Sequence, residues 1–205
     1  MARRRTQNER TTETRAALIN ATVEALMERG MSGATVQEIC KQAGVTTGAI
    51  QHHFGSKTGL MAEVVRTLFT PFVSGIEPAG GPEPSLETRI ARIIDHYWSI
   101  FQTERYFAVL EVLLATRHDP DLLEMVAGFR EGQLKALEEA LPLDFPELDI
   151  SASEFRNSMH RAIDYMRGHA VRRIYENSDE LDRQAIEAAR AMVLRDLTEN
   201  KRDSR

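Results

Sequence analysis

The segment spanning residues 35–57 constrains the fold more than any other, because two short helical patterns flank a single glycine there. Thr35 and Glu38 have the spacing of a capping box, in which each side chain bonds the backbone N–H of the other residue. The apolar residues that follow recur at helical spacing, which predicts one buried face. They are Val36, Ile39, Cys40 and Ala43. Gly44 comes next, and glycine commonly ends helices because it adopts the left-handed conformation without strain.

A second helix is predicted after Thr46, a residue type that is favoured at helix N-caps. Ile50 and Phe54 fall on its inner face. Its outward-facing side chains are Thr47, Gln51 and His52. Two helices joined by a glycine-containing turn form the helix-turn-helix, whose second helix enters the major groove of DNA. The same pattern also fits a helical hairpin in an all-α domain of another function, so the pattern alone leaves both interpretations open.

Residues 43–60 resemble the DNA-binding signature of the tetracycline-repressor (TetR) family of bacterial regulators. The family pattern is roughly A-G-V-S-x-G-x-L-Y-x-H-F-x-x-K-x-x-L, and here it reads AGVTTGAIQHHFGSKTGL. The identical positions are Ala43, Gly44, Val45, Gly48, His53, Phe54, Lys57 and Leu60, with near-equivalents at Thr46 and Ile50. Gln51 replaces the usual tyrosine, which puts a stacking or phosphate contact in doubt. The close resemblance covers residues 11–60, and beyond them only size and helical character are similar.

The resemblance implies specific DNA contacts. Thr35, His53 and Lys57 fit phosphate contacts, and Lys57 begins a helix whose dipole also favours an anion. Gln51 has the donor and acceptor needed to address adenine, whereas Gly48 either lets DNA approach closely or only relieves crowding between helices. The full predicted DNA-binding set is Thr35, Gln37, Thr46, Thr47, Gly48, Gln51, His52, His53 and Lys57.

Charge is unevenly distributed along the 205 residues, although the net charge is −5. Residues 1–60 hold eight Arg or Lys and five Glu, a balance of +3, which leaves −8 for the remainder. A basic N-terminal third on an acidic body orients the molecule toward phosphate. Residues 1–10 lack periodicity and are predicted to be a flexible basic arm, in which Arg3, Arg4 and Arg5 add phosphate or minor-groove contacts.

The fold class predicted from periodicity is all-α, with about nine helices and no strand pattern. The other predicted helices span 11–29, 57–69, 85–101, 104–117, 121–141, 151–175 and 179–199, with loops at 71–84 and 141–149. A second capping box is predicted at Ser151 and Glu154. The predicted domains are the basic arm 1–10, a helix-turn-helix domain 11–56, and a ligand-binding and dimerisation domain 57–205.

The C-terminal domain of the family holds a small-molecule pocket, and pockets are mostly apolar with a few polar groups. The predicted lining residues are Trp98, Phe101, Phe107, Met125, Phe129, Met159, His160 and Met166, although aromatic and Met residues at helical spacing are more often plain core. Homodimerisation is predicted through the helices at 151–175 and 179–199, which would form a four-helix bundle. The proposed seam on the last helix contains Leu181, Ala185, Ala189, Met192 and Leu197.

Other functional classes receive little support. The histidines do not form a ligand face, the single cysteine, Cys40, fits a small buried residue, and no nucleotide-binding or nucleophile motif is present. No metal, cofactor or enzymatic activity is therefore expected. Without a secretory leader or a long apolar run, the expected compartment is the cytoplasm. The sequence predicts a repressor released from a pseudo-palindromic operator by an effector. The alternatives are a dimeric DNA-binding regulator without a ligand, and a helical enzyme or carrier.

Overall fold

The computed structural model describes residues 6–74, 85–144 and 151–203. These residues form nine α-helices and one short 3-10 helix, with no β-strand among them, so the all-α prediction is confirmed. The helices are α1 Gln7–Gly33, α2 Val36–Ala43, α3 Gly48–Phe54, α4 Lys57–Ser74, α5 Leu86–Phe101, α6 Glu104–Ala115, α7 Pro120–Asp144, α8 Ala152–Arg172 and α9 Asp179–Asp203. The 3-10 helix, Thr116–His118, connects α6 to α7. In the part of the chain described, no helix has the length and apolarity needed to cross a membrane.

The first helix begins earlier than predicted. Thr6 and Glu9 form a complete capping box, so residues 7–10 are helical and do not belong to a flexible arm. Arg3, Arg4 and Arg5 lie outside the described residues. At the other end, Gly30 adopts a φ of 63° and breaks the helical path, as expected for a glycine at that point, before the chain resumes one more turn to Gly33.

Two prolines do not end helices where the sequence predicted that they would. α4 continues through Pro71 to Ser74, and α7 continues through Pro142 to Asp144. The predicted loops at 71–84 and 141–149 therefore begin too early, and their remaining residues lie outside the described ranges. A proline removes only one backbone hydrogen bond from the helix it interrupts. Neighbouring backbone hydrogen bonds can sustain the helix across that position, so a rule that ends a helix at every proline fails here.

The first packing unit contains α1, α2, α3, α4 up to Thr70, α6, and α7 up to Arg130. α1 packs against both α2 and α6. The fully buried side chains of this first unit include Leu18, Ile39, Leu60, Val64 and Val112. Packing therefore joins α6 to the helix-turn-helix, whereas the functional boundary predicted at residue 56 remains a prediction.

The second packing unit contains α5, α7 from Glu131 onward, α8 and α9. α9 packs against α8 and α5. Ala185, Ala189 and Leu197, predicted to face a second copy, are at most 2% exposed within this single chain. That part of the predicted dimer seam is wrong, because the close approach these small side chains permit is made inside the subunit. The capping box at Ser151 and Glu154 is confirmed and begins α8.

Candidate nucleic-acid interface

The start of α2 is capped by Thr35, whose hydroxyl accepts a hydrogen bond from the Glu38 N–H at 3.2 Å. The Glu38 carboxylate does not accept the second hydrogen bond of the predicted capping box, which would come from the Thr35 N–H. It pairs instead with the guanidinium of Arg29 at 2.8 Å, and this hydrogen bond lowers the pKa of Glu38. The N–H of Thr35 donates to the carbonyl of Gly33. Half of the predicted box therefore forms, and Glu38 ties α2 to α1.

The turn between α2 and α3 is closed by Gly44, which has a φ of 68° and a ψ of 31°. The Val45 N–H donates to the Cys40 carbonyl at 3.0 Å, which satisfies the end of α2 in the way a left-handed glycine permits. The predicted N-cap role of Thr46 is wrong. α3 starts at Gly48, Thr47 occupies the cap position without a side-chain capping bond, and Thr46 contributes its carbonyl to the Ala49 N–H.

α3 has one buried edge and one exposed edge. Ile50 is 3% exposed and anchors the helix in the core, while His53 and Phe54 are half-buried. The exposed side carries Thr46, Thr47, Gly48, Gln51 and His52. A row of polar groups on the outer side of the second helix is the arrangement that reads base edges in helix-turn-helix proteins.

Gly48 is not required for packing. A Cβ added there would have one neighbour within 4 Å, the Thr46 hydroxyl at 4.0 Å. This result argues against the interpretation in which Gly48 only relieves crowding between helices. The surroundings of Gly48 therefore favour the other interpretation, in which the missing side chain lets DNA approach the protein main chain closely.

Lys57 is the first residue of α4 and is half-buried, and burial lowers the pKa of its ammonium group. Ser56 precedes it and accepts a hydrogen bond from the Gly59 N–H at 2.9 Å. Thr35 and Gln37 are exposed at the start of α2. The structure thus exposes the candidates on α2 and α3 while partly burying His53 and Lys57, and their DNA contacts remain predictions.

Glu63 of α4 links two arginines of the first unit. Its carboxylate receives Arg15 of α1 at 3.1 Å and is held by Arg66 on its own helix. The Arg66 hydrogen bond is the main reason that the pKa of Glu63 lies below its ordinary value. Because the pKa is lowered on folding, the stabilisation is present above the unfolded value of about 4.5 and is lost as pH falls through the folded value.

Glu63→Gln should therefore lower the thermal unfolding temperature at pH 7, where the carboxylate is ionised in the parent protein. The difference between variant and parent should shrink as the pH is lowered below about 4.5, the model-peptide range for glutamate. Thermal unfolding followed by circular dichroism across this pH range measures the effect. A difference that stays constant at every pH would show that the ionised carboxylate is not the stabilising species.

The predicted ligand-binding residues divide between the two packing units. In the second unit, Trp98, Phe101, Met159 and Met166 are buried and His160 is half-buried. In the first, Phe107 and Phe129 are half-buried, and Met125 is 47% exposed. Met125 lines an open groove of about 540 Å³ whose other lining residues are Ser56, Thr58, Asp121, Glu124 and Gly128. The role of these residues in ligand binding remains a prediction.

Trp98 lies in a polar corner of the second unit. Its ring centroid is 5.4 Å from that of His169, and the Arg173 guanidinium lies 5.7 Å from it.

Across the described ranges, no group of three His, Cys, Asp or Glu residues could hold a metal ion. Cys40 is buried, which raises the pKa of its thiol.

Comparison with known proteins supports the interpretation of the first helices. A family model described as "Bacterial regulatory proteins, tetR family" matches residues 18–64. The HTH-type transcriptional regulator BetI of Escherichia coli O17:K52:H18 is 37% identical over 83 residues, which cover 40% of this chain and 43% of BetI. The match thus spans less than half of that relative's length.

Two longer matches extend over most of the chain. The HTH-type transcriptional regulator CymR of Pseudomonas putida is 25% identical over 178 residues, covering 87% of this chain and 88% of CymR. The crystal structure of a putative transcriptional regulator from Pseudomonas aeruginosa PAO1 has a TM-score of 0.71 at 21% identity, covering 98% and 100% of the two chains. The resemblance found at residues 43–60 is confirmed, and residues 18–64 form the N-terminal domain that the TetR family of bacterial regulatory proteins shares.

Proposed function

We propose that this protein is a cytoplasmic transcriptional repressor that binds a pseudo-palindromic operator as a homodimer and is released by a small-molecule effector. The observation that carries DNA binding is the outer side of α3, where exposed Thr47, Gly48, Gln51 and His52 stand opposite the buried Ile50. The relatives named above are transcriptional regulators, which supports this class over a helical enzyme or carrier.

Release by an effector requires a mechanical link to the DNA-binding helices, and contacts within the first unit support one. The Glu111 carboxylate of α6 accepts a hydrogen bond from the Met31 N–H at the kink of α1, at 3.2 Å. The Thr58 hydroxyl, one residue after Lys57, donates to Asp119 at 3.2 Å, and Asp119 also caps the Leu122 N–H. A shift of α6 or of the start of α7 would therefore displace α1 and the start of α4 at Lys57.

Two heads are needed for tight binding, since each makes few phosphate contacts and a dimer holds the second at high effective concentration. TetR-family regulators usually act as dimers. We place the interface on the outer sides of α8 and α9. Tyr165 and Val171 of α8 are 44% and 38% exposed, and a second copy packed there would cover this apolar surface. Measurement of the mass in solution at micromolar concentration tests the dimer.

Complete burial of Phe101 and Met166 supports a second candidate, a dimeric DNA-binding regulator with no small-molecule ligand. Such side chains fill a core and do not line an open cavity. Titration of apolar compounds with Trp98 fluorescence as the signal separates the two candidates. A compound that changes the fluorescence and releases DNA supports the effector, and Trp98→Phe then tests whether that residue lines its site.

Sequencing of genomic fragments retained by the purified protein tests DNA binding itself. A shared, two-fold symmetric sequence should be enriched, and its affinity should fall steeply with salt because bound phosphates release counterions. Retention without any enriched sequence would contradict an operator-binding role. Absence of retention at low salt would contradict DNA binding altogether.

Lys57→Ala should weaken binding to every duplex by a similar factor. A lysine that contacts a phosphate carries no sequence information, so its loss should also reduce the slope of log affinity against log salt by about one unit. Fluorescence anisotropy with the enriched duplex and a scrambled duplex at four salt concentrations measures both effects. Lys41→Ala, an exposed lysine on α2 outside the predicted set, is the matched control.

Gln51→Ala should change sequence preference. If Gln51 addresses a base edge, its loss should cost about 1–3 kcal/mol on the best duplex and much less on a scrambled one. Selection from random duplexes with the variant should then show relaxed preference at one position in each half-site. An equal loss on all duplexes would instead assign Gln51 to the phosphate backbone.

A further inference from the structure

The recognition helix α3 is only seven residues long and cannot be stable by itself. Ile50 is its only fully buried residue, so one apolar anchor fixes the middle of the helix. The rotation of its C-terminal end must therefore be set by other tertiary contacts. Residues at that end decide the direction in which the side chains of Gln51 and His52 point.

Arg15 of α1 supplies three such contacts. One terminal nitrogen of its guanidinium donates to the main-chain carbonyl of His53, and the other donates to the Glu63 carboxylate at 3.1 Å. The guanidinium carbon also lies 4.5 Å from the centre of the Phe54 ring. The carbonyls of a helix's last turn lack partners within the helix and form its negative end, so a cation there is doubly favoured.

The junction of α3 with α4 also restricts movement of the C-terminal end of α3. A Cβ added at Gly59 would lie 2.2 Å from the Phe54 carbonyl oxygen, so the first turn of α4 sits directly against the end of α3. Glu63, one turn further along α4, is only 17% exposed and is held by Arg66. Arg15 thus bridges α1, the end of α3 and α4 through a single planar group.

We infer that Arg15 is a positioning residue for DNA recognition, which fixes the C-terminal end of α3 against α1 and α4 and so sets the angle at which the recognition helix meets a base edge. This inference rests on the proposed function. The sequence offers no local signal for this role, because Arg15 and Glu63 are 48 residues apart.

Positioning accounts for these contacts better than a direct phosphate contact does. One N–H on each terminal nitrogen of Arg15 already donates within the protein, and its charge is paired with the Glu63 carboxylate that Arg66 shares. These two bonds fix the plane of the guanidinium against α3 and α4, so its geometry is set by the protein and not by a phosphate. Substitution should therefore affect the discrimination between sequences and leave the number of neutralised phosphates unchanged.

The test uses Arg15→Lys, which keeps the charge but lacks the planar fork needed to reach His53 and Glu63 together. The probes are a duplex selected by the parent protein from a random pool and an unselected duplex of the same length. Binding to the selected duplex should fall about tenfold or more and binding to the unselected one about twofold at most, because phosphate contacts persist. The salt slope should not change, and amide hydrogen exchange should quicken in α3 but not in α9.

Arg66→Lys is the matched control, since Arg66 binds the same Glu63 and is 54% exposed. It should leave both affinities within about twofold, as expected of a surface ion pair. Parent-like binding by Arg15→Lys would overturn the inference alone. So would losses of equal size on both duplexes, because a phosphate contact carries no sequence information. A parent protein that selects no sequence would overturn the proposed function as well.

Glu63→Gln provides a second route if Arg15→Lys does not fold at the assay temperature. This variant retains Arg15 and its bond to the His53 carbonyl but weakens the link to α4. A loss of about threefold confined to the selected duplex would support the inference, because only sequence reading depends on helix orientation. No loss on either duplex would overturn it.

Discussion

Ala189→Arg is expected to unfold the second unit and should not yield a folded monomer. Ala189 is fully buried within the chain, on the side of α9 that packs against α5 and α8. An arginine there would overpack the core and bury an unpaired charge, which together should cost more than about 4 kcal/mol. Since whole domains are stable by only about 5–15 kcal/mol, little or no folded protein should remain at 37 °C.

Ala188→Arg is the matched control, because the preceding residue is exposed on the same helix. It should keep the parent helicity and unfolding temperature. Circular dichroism and thermal unfolding distinguish the two variants, and sedimentation gives the mass of each. A folded, monomeric Ala189→Arg protein would show that Ala189 faces a second copy, as the spacing on α9 first suggested, and would contradict the packing described here.

Asp182→Ala should destabilise the second unit by about 3 kcal/mol, which is the lower end of the range observed when one partner of a buried ion pair is removed. The Asp182 carboxylate accepts a hydrogen bond from His169 at 2.8 Å and pairs with Arg173 at 3.2 Å. A guanidinium nitrogen of Arg172 lies 3.1 Å from the other ring nitrogen of His169. Since a guanidinium can only donate, that nitrogen accepts, and the ring N–H points at Asp182.

Loss of Asp182 would therefore leave a buried N–H without a partner, and the Arg173 guanidinium would keep Asn177 as its remaining described hydrogen-bond acceptor. Denaturant unfolding gives the stability, and Trp98 fluorescence should change with it because the ring lies against His169. Asp164→Ala removes a carboxylate that is 71% exposed from a surface pair with Arg167 on the same helix. That control should cost less than about 1 kcal/mol, and an equal cost for both variants would contradict a buried network at Asp182.

Local sequence rules succeeded where the determining interactions lie within a few residues of each other. Gly44 ends α2 because only glycine adopts its left-handed conformation without strain, and Ser151 begins α8 because Glu154 is three residues away. The same rules were wrong at Thr46, which is not the N-cap of α3. Glu38 was also misassigned, because the Arg29 guanidinium competes successfully for its carboxylate.

The candidate interface was predictable to the extent that it depends on α2 and α3 alone. Helical periodicity placed Ile50 inside and Gln51 and His52 outside, and the structure agrees. It could not reveal that Arg15 holds the end of α3, because that contact joins residues 38 positions apart. Nor could it show that Gly48 has open space around it.

The sequence by itself determined the all-α class, the helix-turn-helix and the resemblance of the first helices to the TetR family, since these follow from short-range spacing and a local signature. Only the tertiary structure decided which neighbour each apolar face meets. Periodicity identifies Ala185 and Ala189 as one face of α9, but the same stripe would fit α5 and α8 or a second copy equally well. Burial is a property of the surroundings of a helix, and those surroundings are assembled from distant parts of the chain, as the pairing of Asp95 with Arg190 shows.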